Sequence, residues 1–128
     1  MKSVFLAGLI AGIALAGTLP ARAQDVAAGA AVFKAQCGMC HSVVKGQTML
    51  GPSLFGIVGA KAGGPTGGET EFYYSAALKK SGLTWDAATL DRWIADPAAV
   101  VPGNRMTYAG LKDAKQRADL VAYLATLK

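Results

Sequence analysis

The chain has little charge, few cysteines and no internal repeat. Two cysteines exclude a disulfide-dense scaffold, and a length of 128 residues excludes a multidomain enzyme. Only 16% of the residues are charged while 52% are hydrophobic, which excludes a disordered tail. No segment shows the alternation typical of a half-buried strand. The sequence therefore predicts one small domain whose many apolar residues must cover something.

The first 23 residues have the three parts of a secretory signal peptide. Lys2 supplies a positive charge, residues 4–19 form an uncharged apolar run, and small residues in an A-x-A arrangement end at Ala23. The alternative is an uncleaved membrane anchor, but the run is shorter than the roughly 20 residues that a spanning helix needs. We expect cleavage after Ala23, export to the periplasm and a mature domain of residues 24–128, whose 11 basic and 8 acidic side chains give +3.

The mature sequence predicts an all-α domain of about four helices joined by long glycine-rich loops. Each helix has a start or stop signal: Asp25 caps one that runs towards Cys37, Ser75–Lys80 is stopped by Gly82, Thr84 caps one that Pro97 ends, and Asp113 with Gln116 opens the last. The longest loop, about Ser42 to Thr70, is no phosphate-binding loop because no Gly-Lys-Ser/Thr follows it. A loop this long in a compact domain normally wraps something.

The segment Cys37-Gly38-Met39-Cys40-His41 carries the clearest chemical signal. On a helical turn Cys37, Cys40 and His41 stand at i, i+3 and i+4, so two sulfurs and an imidazole project from one face. Thioether bonds to two haem vinyl groups, with the histidine as an iron ligand, need this arrangement. The motif predicts covalent attachment of one haem c with its iron.

Two other interpretations of this motif compete with haem. A disulfide or a thioredoxin-like redox pair does not need His41, and a redox pair expects a preceding strand where this sequence has a helix. A zinc site would take both cysteines, the single histidine and a carboxylate, and usually draws on a second Cys/His pair that the chain lacks. The histidine next to the second cysteine favours haem.

A second axial ligand must be a methionine or a lysine, or be absent, because the chain has no second histidine. Met39 lies within the binding turn, on the wrong side of the haem. Met49 is within reach, since eight extended residues span roughly 26 Å. Met106 follows Pro102 in a loop after the third predicted helix, where it can be held on the opposite face. Met106 is therefore the predicted ligand.

On these residues the chain resembles the class I c-type cytochromes, including mitochondrial cytochrome c and its small soluble bacterial counterparts. The resemblance covers nearly all of the mature sequence. It implies a close crossing of the first and last helices through Gly29, Phe33, Leu120 and Tyr123. It also implies that the Pro52 carbonyl accepts the His41 ring N–H, and that Tyr74 and Trp85 donate to a haem propionate.

The chain departs from the common pattern of that family at several positions. Ala60, Leu78 and Trp93 stand where the family commonly has arginine, asparagine and tyrosine. Gln36 and the pair Ala98-Ala99 stand where mitochondrial members have lysines used in docking. The fold and the ligands are expected to follow the family, and these departures fall on positions that affect the electrostatic tuning of the haem and the choice of partner.

A haem iron with two protein ligands has no open position for oxygen or peroxide, so the expected function is one-electron transfer and not enzymatic catalysis. The expected partners of this soluble monomer are redox proteins such as a cytochrome bc complex, a terminal oxidase or a photosynthetic reaction centre. Transient docking would use basic side chains, namely Lys34, Lys45, Lys79, Lys112 and Arg105. The modest charge without a basic run disfavours nucleic acid. The alternative is a haem enzyme or ligand sensor with an open or displaceable sixth site.

Overall fold

The computed structural model describes residues 24–66 and 72–128, so the predicted leader and part of the long glycine-rich loop lie outside the described residues. The elements are five helices: α1 (Val26–Gln36), α2 (Ala76–Lys80), α3 (Ala87–Ala95), α4 (Pro97–Val100) and α5 (Ala114–Ala125). Extended pairing in these residues is limited to a bridge between Lys61 and Thr84. Within the same residues, no helix is long and apolar enough to cross a membrane. The predicted all-α class is confirmed.

Each helix begins after a side chain that accepts a hydrogen bond from the first turn, where backbone N–H groups lack partners inside the helix. These caps are Asp25, Ser75, Asp86, Asp96 and Asp113. The prediction of Thr84 as the cap of the third helix was wrong. Thr84 pairs with Lys61 instead. The Asp86 carboxylate accepts from the Thr89 N–H at 2.7 Å, so the helix begins two residues later.

Pro97 does more than end the third helix. α3 stops at Ala95, and Pro97 is the first residue of α4, where its missing N–H costs nothing and its fixed φ suits the first turn. The Asp96 carboxylate accepts from the Ala99 N–H at 3.2 Å and caps this short helix. The described residues therefore form five helices where about four were predicted, and this extra turn leads directly into the loop that contains Met106.

The first and last helices cross closely at a glycine. A Cβ on Gly29 would collide with the Asp119 carbonyl and lie 2.8 Å from the Cβ of Tyr123. The rings of Phe33 and Tyr123 lie 5.9 Å apart, and Leu120 is fully buried. These are the contacts that the family resemblance implied for α1 and α5. The crossing fixes the end of α1, from which the Cys37–His41 segment begins.

Backbone hydrogen bonds hold the glycine-rich loop against the rest of the fold. The Gly59 N–H donates to the Trp85 carbonyl at 2.9 Å, and the Trp85 N–H donates to the Ala60 carbonyl at 2.8 Å. Further back, the Gly56 N–H donates to the Leu127 carbonyl at 2.8 Å. The loop therefore runs from the end of α5 to the segment before α3. The loop is thus hydrogen-bonded directly to the backbone of the buried Trp85.

Candidate functional site

The Cys37–His41 segment continues the end of α1 as one further turn. The Cys37 N–H donates to the Phe33 carbonyl at 2.8 Å. The N–H groups of Cys40 and His41 donate to the Cys37 carbonyl at 3.0 and 2.9 Å. Both cysteines are half-buried, and their thiols are free. The turn thus holds two sulfurs and an imidazole at the helical spacing that haem attachment needs.

The environment of the Cys37 thiol does not support a redox pair. Burial, with the neighbouring Cys40 as a smaller cause, raises the pKa of the Cys37 thiol to about 11. Thiol–disulfide exchange needs a thiolate, and active thiols have lowered pKa values. Cys37 is therefore protonated at neutral pH before any cofactor is attached.

In residues 24–66 and 72–128, no three His, Cys, Asp or Glu side chains are grouped so that they could hold a metal ion.

The His41 ring is oriented by the backbone of the next segment. Its Nδ1 lies 2.7 Å from the Pro52 carbonyl oxygen. Because a carbonyl oxygen only accepts, Nδ1 carries the proton and Nε2 carries the lone pair that a metal ligand needs. Gly51 leaves room for the ring, since a Cβ there would lie 2.7 Å from Nδ1 and 3.0 Å from Nε2. The Gly51 N–H also donates to the Cys40 carbonyl at 2.8 Å, which connects this segment to the binding turn.

Buried hydroxyls stabilise the chain that follows the histidine. The Ser42 hydroxyl donates to the Gln47 side chain at 2.8 Å and accepts from the Val44 N–H at 2.9 Å. Ser53 is fully buried and donates to the Val44 carbonyl at 2.8 Å. Its own carbonyl accepts from the Thr66 hydroxyl at 3.1 Å. The carbonyl that orients the imidazole therefore belongs to a segment that is fixed on both sides.

Asn104 organises the loop that follows α4. Its Nδ2 donates to the carbonyls of Pro97 and Val101 at 3.1 and 2.9 Å. Its Oδ1 accepts from the Met106 N–H at 2.9 Å. These bonds connect the backbone of Met106 to the start of α4 and to its C-terminal cap. Met106 itself is half-buried and packs against the hydrophobic core.

The three methionines in the described part of the chain differ in exposure. Met39 is 85% exposed and Met49 is 43% exposed. Met106 is half-buried and is the one that contacts the core cluster. An axial ligand must face the cofactor and not the solvent, so these exposures favour Met106 over the other two.

Trp85 offers a hydrogen-bond donor with no partner in the described part of the chain. The residue is 6% exposed, and its ring lies 5.1 Å from that of Trp93 at an angle of 57°. Within residues 24–66 and 72–128, its indole N–H makes no hydrogen bond. Buried tryptophans usually pair this group, so the site fits an acceptor on a ligand, such as a carboxylate. Tyr74 is half-buried, with its ring 4.8 Å from that of Phe72.

The five basic residues predicted for docking are all exposed and lie on different elements: Lys34 in α1, Lys45 in the loop that follows, Lys79 in α2, and Arg105 and Lys112 after α4. Two of them are fixed by the backbone. Lys112 donates to the Ala95 carbonyl at 2.6 Å, and Arg105 donates to the Tyr73 carbonyl at 2.7 Å. None of the five forms an ion pair with a carboxylate of the described residues.

The sequence patterns did not predict some features of the site. The Tyr108 hydroxyl donates to the Gln36 side chain at 2.9 Å, and no local pattern indicates a contact across 72 residues. The role of Asn104 does have a local signal. An asparagine side chain commonly accepts from the N–H two residues later, which here is that of Met106.

Comparisons with known proteins agree with this geometry. The family model for cytochrome c matches residues 26–128. Cytochrome c2 from Rhodomicrobium vannielii is 46% identical over 130 residues, which cover 98% of this chain and 97% of that protein. Cytochrome c from Theileria annulata is 43% identical over 101 residues, which cover 78% of this chain and 84% of that protein. The solved structure of cytochrome cH from Methylobacterium extorquens matches with a TM-score of 0.72 and 47% identity, covering 80% of this chain and 98% of that chain.

A helical fold around a C-x-x-C-H turn defines the class I c-type cytochromes. The chain belongs to the cytochrome c family. Members bind haem c covalently through the two cysteines of the motif, so Cys37 and Cys40 carry haem c with its iron. Members are electron-transfer proteins and not enzymes. The predicted haem c and electron-transfer function are therefore confirmed, and the interpretations as a thiol redox pair, a zinc site or a haem enzyme are not.

Proposed function

We propose that this haem c electron carrier has His41 and Met106 as its axial ligands and works as a soluble monomer in the periplasm. The observation that carries the proposal is the 2.7 Å distance between His41 Nδ1 and the Pro52 oxygen. That bond fixes both the tautomer and the orientation of the ring, as a ligating imidazole requires. The bound haem supplies a one-electron ferric–ferrous couple.

Met106 provides the second ligand in this proposal. Its thioether is soft and favours the ferrous state, which raises the reduction potential. Asn104 holds the Met106 backbone through the 2.9 Å bond to its N–H. With His41 and Met106 both holding the iron, no ligand position would be left for oxygen or peroxide, so the bound haem would transfer electrons without substrate chemistry.

Trp85 and Tyr74 are proposed to donate to the haem propionates. The buried indole N–H of Trp85, which lacks an acceptor in the described residues, supports this role. Donation from these residues would favour the ionised form of a haem propionate, whose negative charge would stabilise the ferric state. The two donors therefore orient the cofactor and also influence its potential.

The proposal also includes export by a signal peptide and docking to redox partners. Residues 1–23 act as a cleaved signal peptide, so the mass of the purified protein should equal that of residues 24–128 plus one haem. The partners are redox complexes such as a cytochrome bc complex, a terminal oxidase or a photosynthetic reaction centre. The exposed basic residues, none paired with a carboxylate in the described residues, support transient docking to an acidic surface.

A visible spectrum with a pyridine haemochrome assay on the periplasmic fraction tests the cofactor and the compartment together. The Met106→Ala variant should lose the charge-transfer band of methionine-ligated ferric haem. Met49→Ala is the matched control and should keep the band. Survival of the band in Met106→Ala, or its loss in Met49→Ala, would contradict the ligand assignment.

A further inference from the structure

A hydrogen bond connects the loop of Met106 with the end of α1. The Tyr108 hydroxyl donates to Oε1 of Gln36 at 2.9 Å, although 72 residues separate them. Gln36 is the last residue of α1 and directly precedes Cys37. Tyr108 lies two residues after Met106, and its N–H donates to the Met106 carbonyl at 3.0 Å. The bond therefore joins the residue beside a haem-bearing cysteine to the turn that contains the methionine.

Other hydrogen bonds of the Met106 loop join it to parts of the fold other than α1. Asn104 connects it to α4, Arg105 to the Tyr73 carbonyl, and the Leu111 N–H to the Ile94 carbonyl in α3. These contacts fix the loop against α3, α4 and the segment that precedes α2. The Tyr108 bond crosses instead to the N-terminal helix.

We propose that Tyr108 and Gln36 form a latch that keeps the Met106 loop closed over the haem and slows exchange of the methionine for an external ligand. The latch rests on the proposed ligation by Met106. Both residues act through the loop backbone and are positioning residues. In this proposal Met106 leaves the haem together with the loop backbone, so Tyr108 moves away from Gln36 and this bond breaks.

The size of the effect follows from the environment of the bond. Gln36 is exposed and Tyr108 is half-buried with its ring against the core. A neutral hydrogen bond of this kind changes an equilibrium or a rate by about twofold to tenfold. Removing the hydroxyl while keeping the ring should therefore increase methionine exchange by that factor without unfolding the protein.

The test measures the rate at which cyanide binds to the ferric holoprotein. Tyr108→Phe and Gln36→Leu should each increase this rate by about twofold to tenfold. The double variant should be no faster than either single variant, because each removes the same bond. Gln36→Glu keeps an oxygen acceptor and should bind cyanide no faster than the unaltered protein.

Tyr73→Phe is the matched control. Tyr73 is 80% exposed, and its hydroxyl makes no hydrogen bond within the described residues, so this variant should leave the rate unchanged. The latch is overturned if Tyr108→Phe binds cyanide at the unaltered rate, or if the two single effects multiply in the double variant. If the unaltered protein lacks the charge-transfer band and binds cyanide at once, Met106 is not the ligand and the latch falls with it. An intact band with no response to Tyr108→Phe overturns the latch alone.

Discussion

The two proposed iron ligands, His41 and Met106, lie in segments that are held by different kinds of contact. The histidine side, residues 37–53, contains buried Gly51 and Ser53, and the ring itself is hydrogen-bonded to a backbone carbonyl. In the methionine loop, residues 101–111, the buried residues are Val101 and Leu111 at its two ends. Pro102, Gly103 and Arg105 are exposed there, and Asn104 acts on the backbone of Met106 and not on its side chain.

This difference indicates which ligand is released first. Histidine is held by contacts within a short stretch of chain that also carries both cysteines. The methionine loop depends on a few partly exposed hydrogen bonds, and such segments open locally at lower free energy than the global fold. We therefore expect a destabilised protein to lose its methionine ligand while the histidine side is still native.

Gly51→Ala should have the largest effect, because it acts on the histidine side. A Cβ at Gly51 would press against the His41 ring, which the backbone holds in place. We expect the free energy of unfolding to fall by about 3 kcal/mol, the upper part of the range for overpacking. Denaturant unfolding followed by haem absorbance measures this change.

Gly64→Ala is the matched control for Gly51→Ala. A Cβ there would meet the Lys61 carbonyl at 3.5 Å, an ordinary contact, so its effect should stay within about 0.5 kcal/mol. Equal effects of the two substitutions would mean that the histidine side is not the rigid one.

The histidine side was also the part that the sequence predicted best. The motif at residues 37–41 is contiguous, and its helical spacing depends on local geometry alone. The caps Asp25 and Asp113 were predicted for the same reason, because each accepts from an N–H three residues later. Chemistry that depends on neighbours in the chain leaves a pattern in the sequence.

Contacts between distant segments left no such pattern. Thr84 has the residue type of a cap, but it pairs with Lys61, and Asp86 caps α3 instead. The bond between Tyr108 and Gln36 joins residues far apart in the chain and depends on how the whole fold closes. The methionine loop was thus predicted as a ligand position, and what holds it became visible only in three dimensions.

Asn104→Ala should have the next largest effect, on the methionine loop. The substitution removes two donated hydrogen bonds and the acceptor of the Met106 N–H. We expect methionine release to become easier by about 2 kcal/mol, with a smaller change in global unfolding. The denaturant midpoint for loss of the charge-transfer band, compared with the midpoint by far-ultraviolet circular dichroism, separates the two.

Asn104→Asp refines this measurement, because aspartate keeps the oxygen that accepts from Met106 and loses the two donors. An intermediate effect is expected. If Asn104→Ala shifted both midpoints equally, the loop would not open separately and the comparison of the two sides would fail.

Acid should weaken the crossing of α1 and α5, which supports both the histidine side and the methionine loop. The Asp119 carboxylate accepts from the Asp25 N–H at 2.9 Å and pairs with Lys115 at 2.6 Å, and these bonds lower its pKa. A carboxyl with a lowered folded-state pKa contributes stability above its unfolded value, near 3.9, and that stability is lost as pH falls through the folded value. The free energy of unfolding should therefore decrease as the pH falls below about 4.

Asp119→Asn tests this assignment, since an amide does not titrate in this range. The variant should be less stable at neutral pH and should show a weaker decrease in acid. The denaturant midpoints measured by the charge-transfer band and by far-ultraviolet circular dichroism should shift together, because the crossing of α1 and α5 supports both the histidine side and the methionine loop. A pH dependence identical to that of the unaltered protein would assign the acid sensitivity to other carboxyls.

The smallest expected effect concerns docking, for which the two sides offer different charges. Lys45 is exposed on the histidine side, and Arg105 is exposed on the methionine loop. Neutralising either to glutamine should lower the rate of oxidation by the hexacyanoferrate(III) anion about twofold at low ionic strength, and less as salt screens the charge. Lys128→Gln, at the chain end, is the control. If salt and both neutralisations left the rate unchanged, basic steering would be contradicted, and exposed apolar side chains such as Met39 and Leu50 would be the surface to test next.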